Sequence, residues 1–183
     1  MKNANCHRII LITGSKHSGK SHAARALEKL TGGTAFDLDD CIEKETGRTP
    51  RELYKESEEL FRKAEEQALA SLLQLKEGPA VRIIAAGGGF ADNSKALALL
   101  SAPFLKKRKV LIVYLELSAE IAWQRIVHAA PELPPFLNTE NPKETHKVLH
   151  ELRAKAYKAL AHLTIAAENK SPEEIAGEIA RFL

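Results

Sequence analysis

What the chain lacks narrows its class before any motif is considered. Two cysteines, Cys6 and Cys41, are too few and too scattered for a disulfide framework or a thiolate zinc site. Aromatic residues make up only 5% of the chain and the net charge is a mild +3, so the broad basic face with interleaved aromatics that nucleic-acid binding wants is missing. The one dense basic run, Lys106-Lys-Arg-Lys109, precedes an apolar, strand-like stretch and reads as a solvated loop. No apolar run approaches the ~18 residues of a membrane span, and the N-terminus has no signal-peptide core. No internal repeat, low-complexity tract or linker divides the chain. Together these predict a cytoplasmic protein of one domain, residues 1–183, with no nucleic-acid or membrane partner; a monomer is expected.

What is present begins with Gly14-Ser-Lys-His-Ser-Gly-Lys-Ser21. The stretch follows an apolar run, Arg8 to Thr13, and opens a segment with helical patterning, Ser21 to Leu30. Strand, glycine-bounded loop and helix, in that order, are the context of a phosphate-binding loop. Gly14 and Gly19 let the backbone turn tightly enough for successive N–H groups and the helix N-terminus to face an anion. Ser15, Lys16, His17 and Ser18 form the body of that loop, and His22 follows it. Lys20 brings a mobile positive charge to the β and γ phosphates, and Ser21 offers a hydroxyl to Mg²⁺, a hard cation that takes oxygen ligands. The expectation is a site for ATP and Mg²⁺.

Further along, strands and helices alternate. Thr34 to Leu38 reads as a second strand that delivers Asp37 and Asp39 to one face, since alternate side chains of a strand point the same way. Asp40 is expected to cap the next helix. A helical period runs from the turn at Thr46-Gly-Arg-Thr-Pro50 to about Lys76. Ala80 to Ala86 is a third strand ending in Gly87, Gly88 and Gly89, where the missing side chains let a ligand or another backbone come close. A helix over Asn93 to Leu100, a connection containing Pro103, a strand over Val110 to Leu117 and a helix over Ser118 to His128 follow. Leu163 to Ala167 forms a short fifth strand, and Ser171-Pro-Glu-Glu opens the final helix. Ala129 to Glu144, with Pro131, Pro134, Pro135 and Pro142, is too irregular for an element and too long for an ordinary connection, which suits a lid as well as a passive loop. The fold class is α/β: a P-loop NTPase-type three-layer α/β/α domain with a parallel sheet and ligands at the carboxyl ends of its strands.

Taken together and in this order, the phosphate loop, Phe36-Asp-Leu-Asp39 with Ile42-Glu43, Thr46-Gly-Arg48, Phe61-Arg62 with Glu65, Gly87-Gly-Gly89 and Arg153-Ala-x-x-Tyr157 resemble the shikimate kinase family. The resemblance spans nearly the whole chain. It implies a five-stranded parallel sheet in the order 2-3-1-4-5 and transfer of phosphate from ATP to the 3-hydroxyl of shikimate. It further implies that Lys20 meets the transferring phosphoryl group, Ser21 ligates Mg²⁺ and Asp37 holds the metal through water. Asp39 would take the acceptor hydroxyl, and Arg62 and Arg153 would clamp the acceptor carboxylate. Gly87, Gly88 and Gly89 would contact the ring, Tyr54 and Phe61 would wall the pocket, and Arg125 and Lys170 would flank the adenine. Two departures stand out: His17 replaces a mid-loop glycine, and Pro134 stands where the family's lid carries an arginine, with Lys143 and His146 as candidate substitutes. A kinase for another hydroxylated carboxylic acid, or a non-catalytic nucleotide-binding paralogue, are the alternatives this leaves.

Overall fold

A computed structural model of the chain describes residues 8–74, 81–100, 109–129 and 132–183. Cys6, Pro103, Pro131, the basic residues 106–108 and the junctions at 75–80 lie outside those residues. Strands β1 (Arg8–Gly14), β2 (Thr34–Asp37), β3 (Val81–Ala85), β4 (Lys109–Glu116) and β5 (Leu163–Ala166) form one sheet in the order β2-β3-β1-β4-β5. Every pairing is parallel. This is the order that the family resemblance implies.

The unbroken apolar run of β1 has a simple cause. Its side chains alternate faces, and both faces are covered. Ile10 and Ile12 pack with Ala23 and Leu27 of helix α1 (Lys20–Thr31) and with Ile175 and Ile179 of α8 (Pro172–Ala180). Ile9 and Leu11 pack on the opposite side with Ile42 of α2 (Leu38–Thr46), Leu53 of α3 (Pro50–Glu56) and Leu69 and Leu73 of α4 (Glu58–Gln74). Two apolar layers on one parallel sheet make the three-layer α/β/α domain. The remaining helices are α5 (Ser94–Leu99), α6 (Ala119–Ala129) and α7 (Pro142–Leu160). Among the described residues, no helix is long and apolar enough to cross a membrane.

Three local expectations are corrected. The second strand ends at Asp37, so Asp39 sits in the first turn of α2 and not one pleat along the same strand. The cap of α2 is Asp37, whose carboxylate accepts from the Asp39 backbone N–H at 3.1 Å, and not Asp40. The helical period from Pro50 onward is two helices broken at Ser57, which is extended (φ −162°, ψ 129°). The break follows from a strong start signal: Thr49 and Glu52 form a reciprocal capping box around Pro50, which fixes the direction of α3 independently of α4. Within Ala129–Glu144, a short 3₁₀ turn over Pro135–Leu137 places Leu137 in the interior, and α7 already begins at Pro142. That helix carries Arg153.

Candidate active site

The loop between β1 and α1 is shaped by its backbone. Gly14 (φ 144°) and Gly19 (φ 92°) take conformations that disfavour a side chain, and His17 also has positive φ (58°). At Gly14, a Cβ would lie 2.7 Å from the Leu115 carbonyl, so the loop leaves the sheet only because that atom is absent. Lys20 is buried, and its Nζ donates across the loop to the Ser15 carbonyl at 2.8 Å. Burial lowers its pKa to about 8, against the opposing pull of Asp39 and Asp37. His17 is likewise held below its ordinary value, first by burial and then by Lys16, Lys20 and Arg125. The hydroxyls of Ser15 and Ser18 are buried without a protein partner. Such a loop presents cationic and donor groups to an anion.

Around the loop lies a cavity of about 510 Å³ at the carboxyl ends of the strands. Lys16, His17, Gly19, Lys20, Ser21 and His22 form one side of it, and Asp37 and Asp39 lie beside them. The Ser21 hydroxyl donates to Asp37 Oδ2 at 2.5 Å. Asp39 titrates above the usual carboxylate range because it is buried, and the neighbouring Asp37 charge adds to that. Tyr54 and Phe61 stand edge to face in the opposite wall, with ring centroids 5.9 Å apart. Pro134, Pro135 and Phe136, from the proline-rich stretch, also line the cavity.

The triple glycine is the floor. A Cβ on Gly88 would lie 2.7 Å from the Lys16 backbone nitrogen, so glycine here lets β3 and the phosphate loop touch. A Cβ on Gly87 would meet Glu65 Oε1 and Asp39 Oδ1, at 3.2 and 3.3 Å. Gly89 faces two guanidinium groups: a Cβ there would lie 3.5 Å from both Arg62 Nη1 and Arg153 Nη2. Arg62 and Arg153, which nothing local in the sequence connects, therefore meet over one backbone position. Both line the cavity.

Sequence reasoning missed Arg51 and Asp92 here, and named Glu65 only as part of a motif, without a role. Arg51 lines the cavity from α3, and its Nη2 reaches Glu132 at 2.6 Å and the Leu133 carbonyl at 3.4 Å. A signal existed: an arginine in the first turn of a helix opposes the helix dipole and so calls for a partner elsewhere. Glu65 is fully buried, accepts from Asn93 Nδ2 at 2.9 Å, and titrates above its ordinary range because of that burial. Asp92 holds both Arg62 (3.2 Å) and Arg153 (2.6 Å). Two other expected residues stand back from the cavity. Arg125 donates to the carbonyls of His17 (3.1 Å) and Glu168 (3.3 Å), behind the loop. Lys170 pairs with Glu178 at 2.6 Å. Neither candidate substitute for a lid arginine faces the cavity as a free cation. Lys143 pairs with Glu120 at 3.0 Å, and His146 is buried with a pKa lowered to about 4, chiefly by desolvation.

A parallel sheet in this order, with a phosphate loop after its first strand and an acidic cluster and an arginine pair across the cavity, defines a P-loop phosphotransferase. The family model for shikimate kinase matches residues 16–183. The chain belongs to the shikimate kinase family. It is 31% identical over 171 residues to the shikimate kinase of Marinomonas sp. (strain MWYL1), covering 93% of this chain and 88% of that protein. With the shikimate kinase of Streptococcus thermophilus (strain ATCC BAA-491 / LMD-9) it shares 33% identity over 168 residues, covering 91% and 94%. Among solved structures it is similar to a shikimate kinase from Acinetobacter baumannii in complex with shikimate, with a TM-score of 0.80 at 29% identity, covering 96% and 92%.

Proposed function

We propose that this protein transfers the γ-phosphoryl group of ATP to the 3-hydroxyl of shikimate, giving shikimate 3-phosphate and ADP. The observation that carries the reading is the convergence of Arg62 and Arg153 over Gly89, in one cavity with Lys20 and Asp39. Paired guanidinium forks suit a carboxylate. A phosphate loop on the other side of the same cavity sets donor and acceptor face to face. Phosphoryl transfer asks a protein chiefly for such positioning and for charge stabilisation.

The residues fit Mg²⁺. Ser21 Oγ and Asp37 Oδ2 already lie together beside Lys20, and an all-oxygen donor set is what this hard cation takes. Ser21 would hold the metal directly and Asp37 through water; when bound, Mg²⁺ offsets phosphate charge during transfer. Lys20 is mostly charged at neutral pH and turns from the Ser15 carbonyl to the phosphoryl oxygens. Asp39, whose burial raises the proton affinity of its carboxylate, accepts the hydroxyl proton when ionised. Gly87, Gly88 and Gly89 bring backbone to the ring, with Tyr54 and Phe61 as its wall. Arg125, fixed against the loop, is better placed to border the adenine than Lys170, which Glu178 draws away. Arg51 brings to the lid the guanidinium that Pro134 cannot. The setting this reading implies is the cytoplasm, with a single chain as the working unit.

A coupled ADP-release assay with ATP and Mg²⁺ tests it against shikimate, quinate and gluconate. Shikimate should give the highest kcat/KM. Turnover of another acid without turnover of shikimate would reject the acceptor, and ATP binding without turnover of any would favour a non-catalytic paralogue.

A further inference from the structure

Two guanidinium groups that share one backbone position repel each other, and something must hold them there. Arg153 presents its Nε/Nη2 edge to Asp92: Nε lies 3.0 Å from Oδ2 and 3.3 Å from Oδ1, and Nη2 lies 2.6 Å from Oδ2. Arg62 Nη2 reaches the same Oδ2 at 3.2 Å. One carboxylate oxygen thus bridges both cations. Asp92 is not part of the cavity wall, whereas Arg62 and Arg153 are. The bridge therefore backs the pair and does not fill the space before it.

The carboxylate is itself held by the turn that carries the other anchor. Gly89 begins a 3₁₀ turn over Phe90–Asp92, closed by the Asp92 N–H to the Gly89 carbonyl at 3.0 Å. That same carbonyl accepts from Arg62 Nη1 at 2.9 Å. Phe90, buried to 1% exposure, pins the turn to the core. Tyr157, one helical turn after Arg153, donates to the Gly88 carbonyl at 3.1 Å and accepts from the Ala91 N–H at 3.3 Å. Arg62 is steadied from its own helix by Glu58 at 3.3 Å and Glu65 at 3.5 Å. Among the described residues Arg153 pairs with no second carboxylate, so its orientation rests on Asp92 and on the face of Phe136, 5.0 Å from its guanidinium carbon.

We propose that Asp92 is a positioning residue that clasps Arg62 and Arg153 from behind, and so fixes the paired fork that receives the acceptor's carboxylate. It rests on the carboxylate-clamp reading given above. Its function lies in preorganisation: guanidiniums already juxtaposed bind an anion without the cost of bringing them together. Loss of Asp92 should therefore weaken acceptor binding and leave the phosphate side of the cavity as it was.

Steady-state kinetics of Asp92→Asn, Asp92→Ala and Asp92→Glu, with shikimate and with its uncharged methyl ester, test this. Asn keeps the size and removes the charge; Glu restores the charge. Asn and Ala should each raise the shikimate KM about tenfold or more, the scale of a lost charge-assisted contact. The KM for ATP and kcat should move less than about twofold, turnover of the methyl ester should be unchanged, and Glu should recover part of the loss. A general structural defect would instead lower kcat and harm both acceptors alike, which would overturn the proposal. So would an unchanged or lowered shikimate KM in Asp92→Asn. Arg62→Lys and Arg153→Lys, run alongside, separate the two levels. If these also leave the shikimate KM unchanged, the clamp reading itself fails; if they raise it while Asp92→Asn does not, only the role of Asp92 is lost.

Discussion

Ser21 and Asp37, brought together from the start of α1 and the end of β2, share a hydrogen bond of 2.5 Å at the mouth of the phosphate loop. Asp37 has a second duty in the same structure, because its other oxygen caps α2. These duties can be separated by substitution. Asparagine caps a helix about as well as aspartate, whereas alanine costs about 1 kcal/mol of cap stability.

Asp37→Asn should therefore keep the melting temperature of the parent while raising the Mg²⁺ concentration for half-maximal activity by roughly tenfold, since the charge proposed to hold the metal through water is lost. Asp37→Ala should show the same metal defect and a lower melting temperature. A Mg²⁺ titration with thermal melts on both variants checks this. An unshifted Mg²⁺ requirement in Asp37→Asn would remove the aspartate from the metal site.

The pH profile of kcat/KM should be bell-shaped, because that parameter reports groups of the free enzyme. Lys20 is charged below about 8 and neutral above it, so activity falls as pH rises through about 8. Asp39 must be ionised to accept a proton. Its raised pKa therefore places the acid limb above the ordinary carboxylate range, with activity lost as pH falls. Lys20→Arg, whose guanidinium stays charged, should lose the alkaline limb whatever its absolute rate. Retention of that limb would assign it to another group.

His146 predicts a stability change on acidification. It is buried between Trp123 and His150, with ring centroids at 5.6 and 5.5 Å. Burial first, then the charges of His150 and Arg153, lower its pKa from 6.5 to about 4, while Glu120 opposes this. The unfolded chain thus takes up a proton before the folded one does. Stability is full above about 6.5 and is lost as pH falls toward about 4, by on the order of 1–3 kcal/mol. Urea unfolding of the parent and of His146→Gln at pH 7.5 and pH 5 should show a smaller acid loss in the variant. Equal losses would mean that His146 is not the group involved.

The sequence made the frame of this site legible, because each part of it has a local signature. An apolar run flanking a glycine-bounded loop identified β1 and the phosphate loop, and capped, periodic segments identified α1 and α8. What escaped was set by contacts between distant segments. Asp-x-Asp fits a period of two and so reads as one strand face, but the Asp37 cap starts a helix between the two residues. Asp92 carried no signal in isolation: an acidic residue after glycines reads as a solvated turn, and its meaning comes from two arginines on other helices. The pairing of Arg62 with Arg153 came only from the family resemblance, since no local pattern joins them.

Arg51 bears on the most serious departure from the family's pattern, the proline at position 134. It lines the same cavity as Lys16 and Lys20, and it is tied to the proline-rich stretch through Glu132 and the Leu133 carbonyl, immediately before Pro134. As an ion pair alone this contact would matter little, because Glu132 is largely exposed, Arg51 is only partly covered, and such surface pairs contribute about 0–1 kcal/mol. As a cation facing the transferring phosphoryl group it would matter a great deal, since removing one such donor costs up to about a hundredfold in kcat where Lys16 and Lys20 remain to share the charge. The two roles predict different data. Arg51→Ala should lower kcat by about ten- to a hundredfold and leave the melting temperature nearly unchanged. Glu132→Gln frees the guanidinium without removing it, so it should preserve kcat. The decisive measurement is the double variant: Pro134→Arg in the Arg51→Ala background should recover a substantial part of the lost rate, because it returns a guanidinium to the lid from the other side. If Arg51→Ala turns over at the parent's rate, Arg51 is only a surface latch, and the charge facing the phosphoryl group is supplied by Lys16 and Lys20 alone.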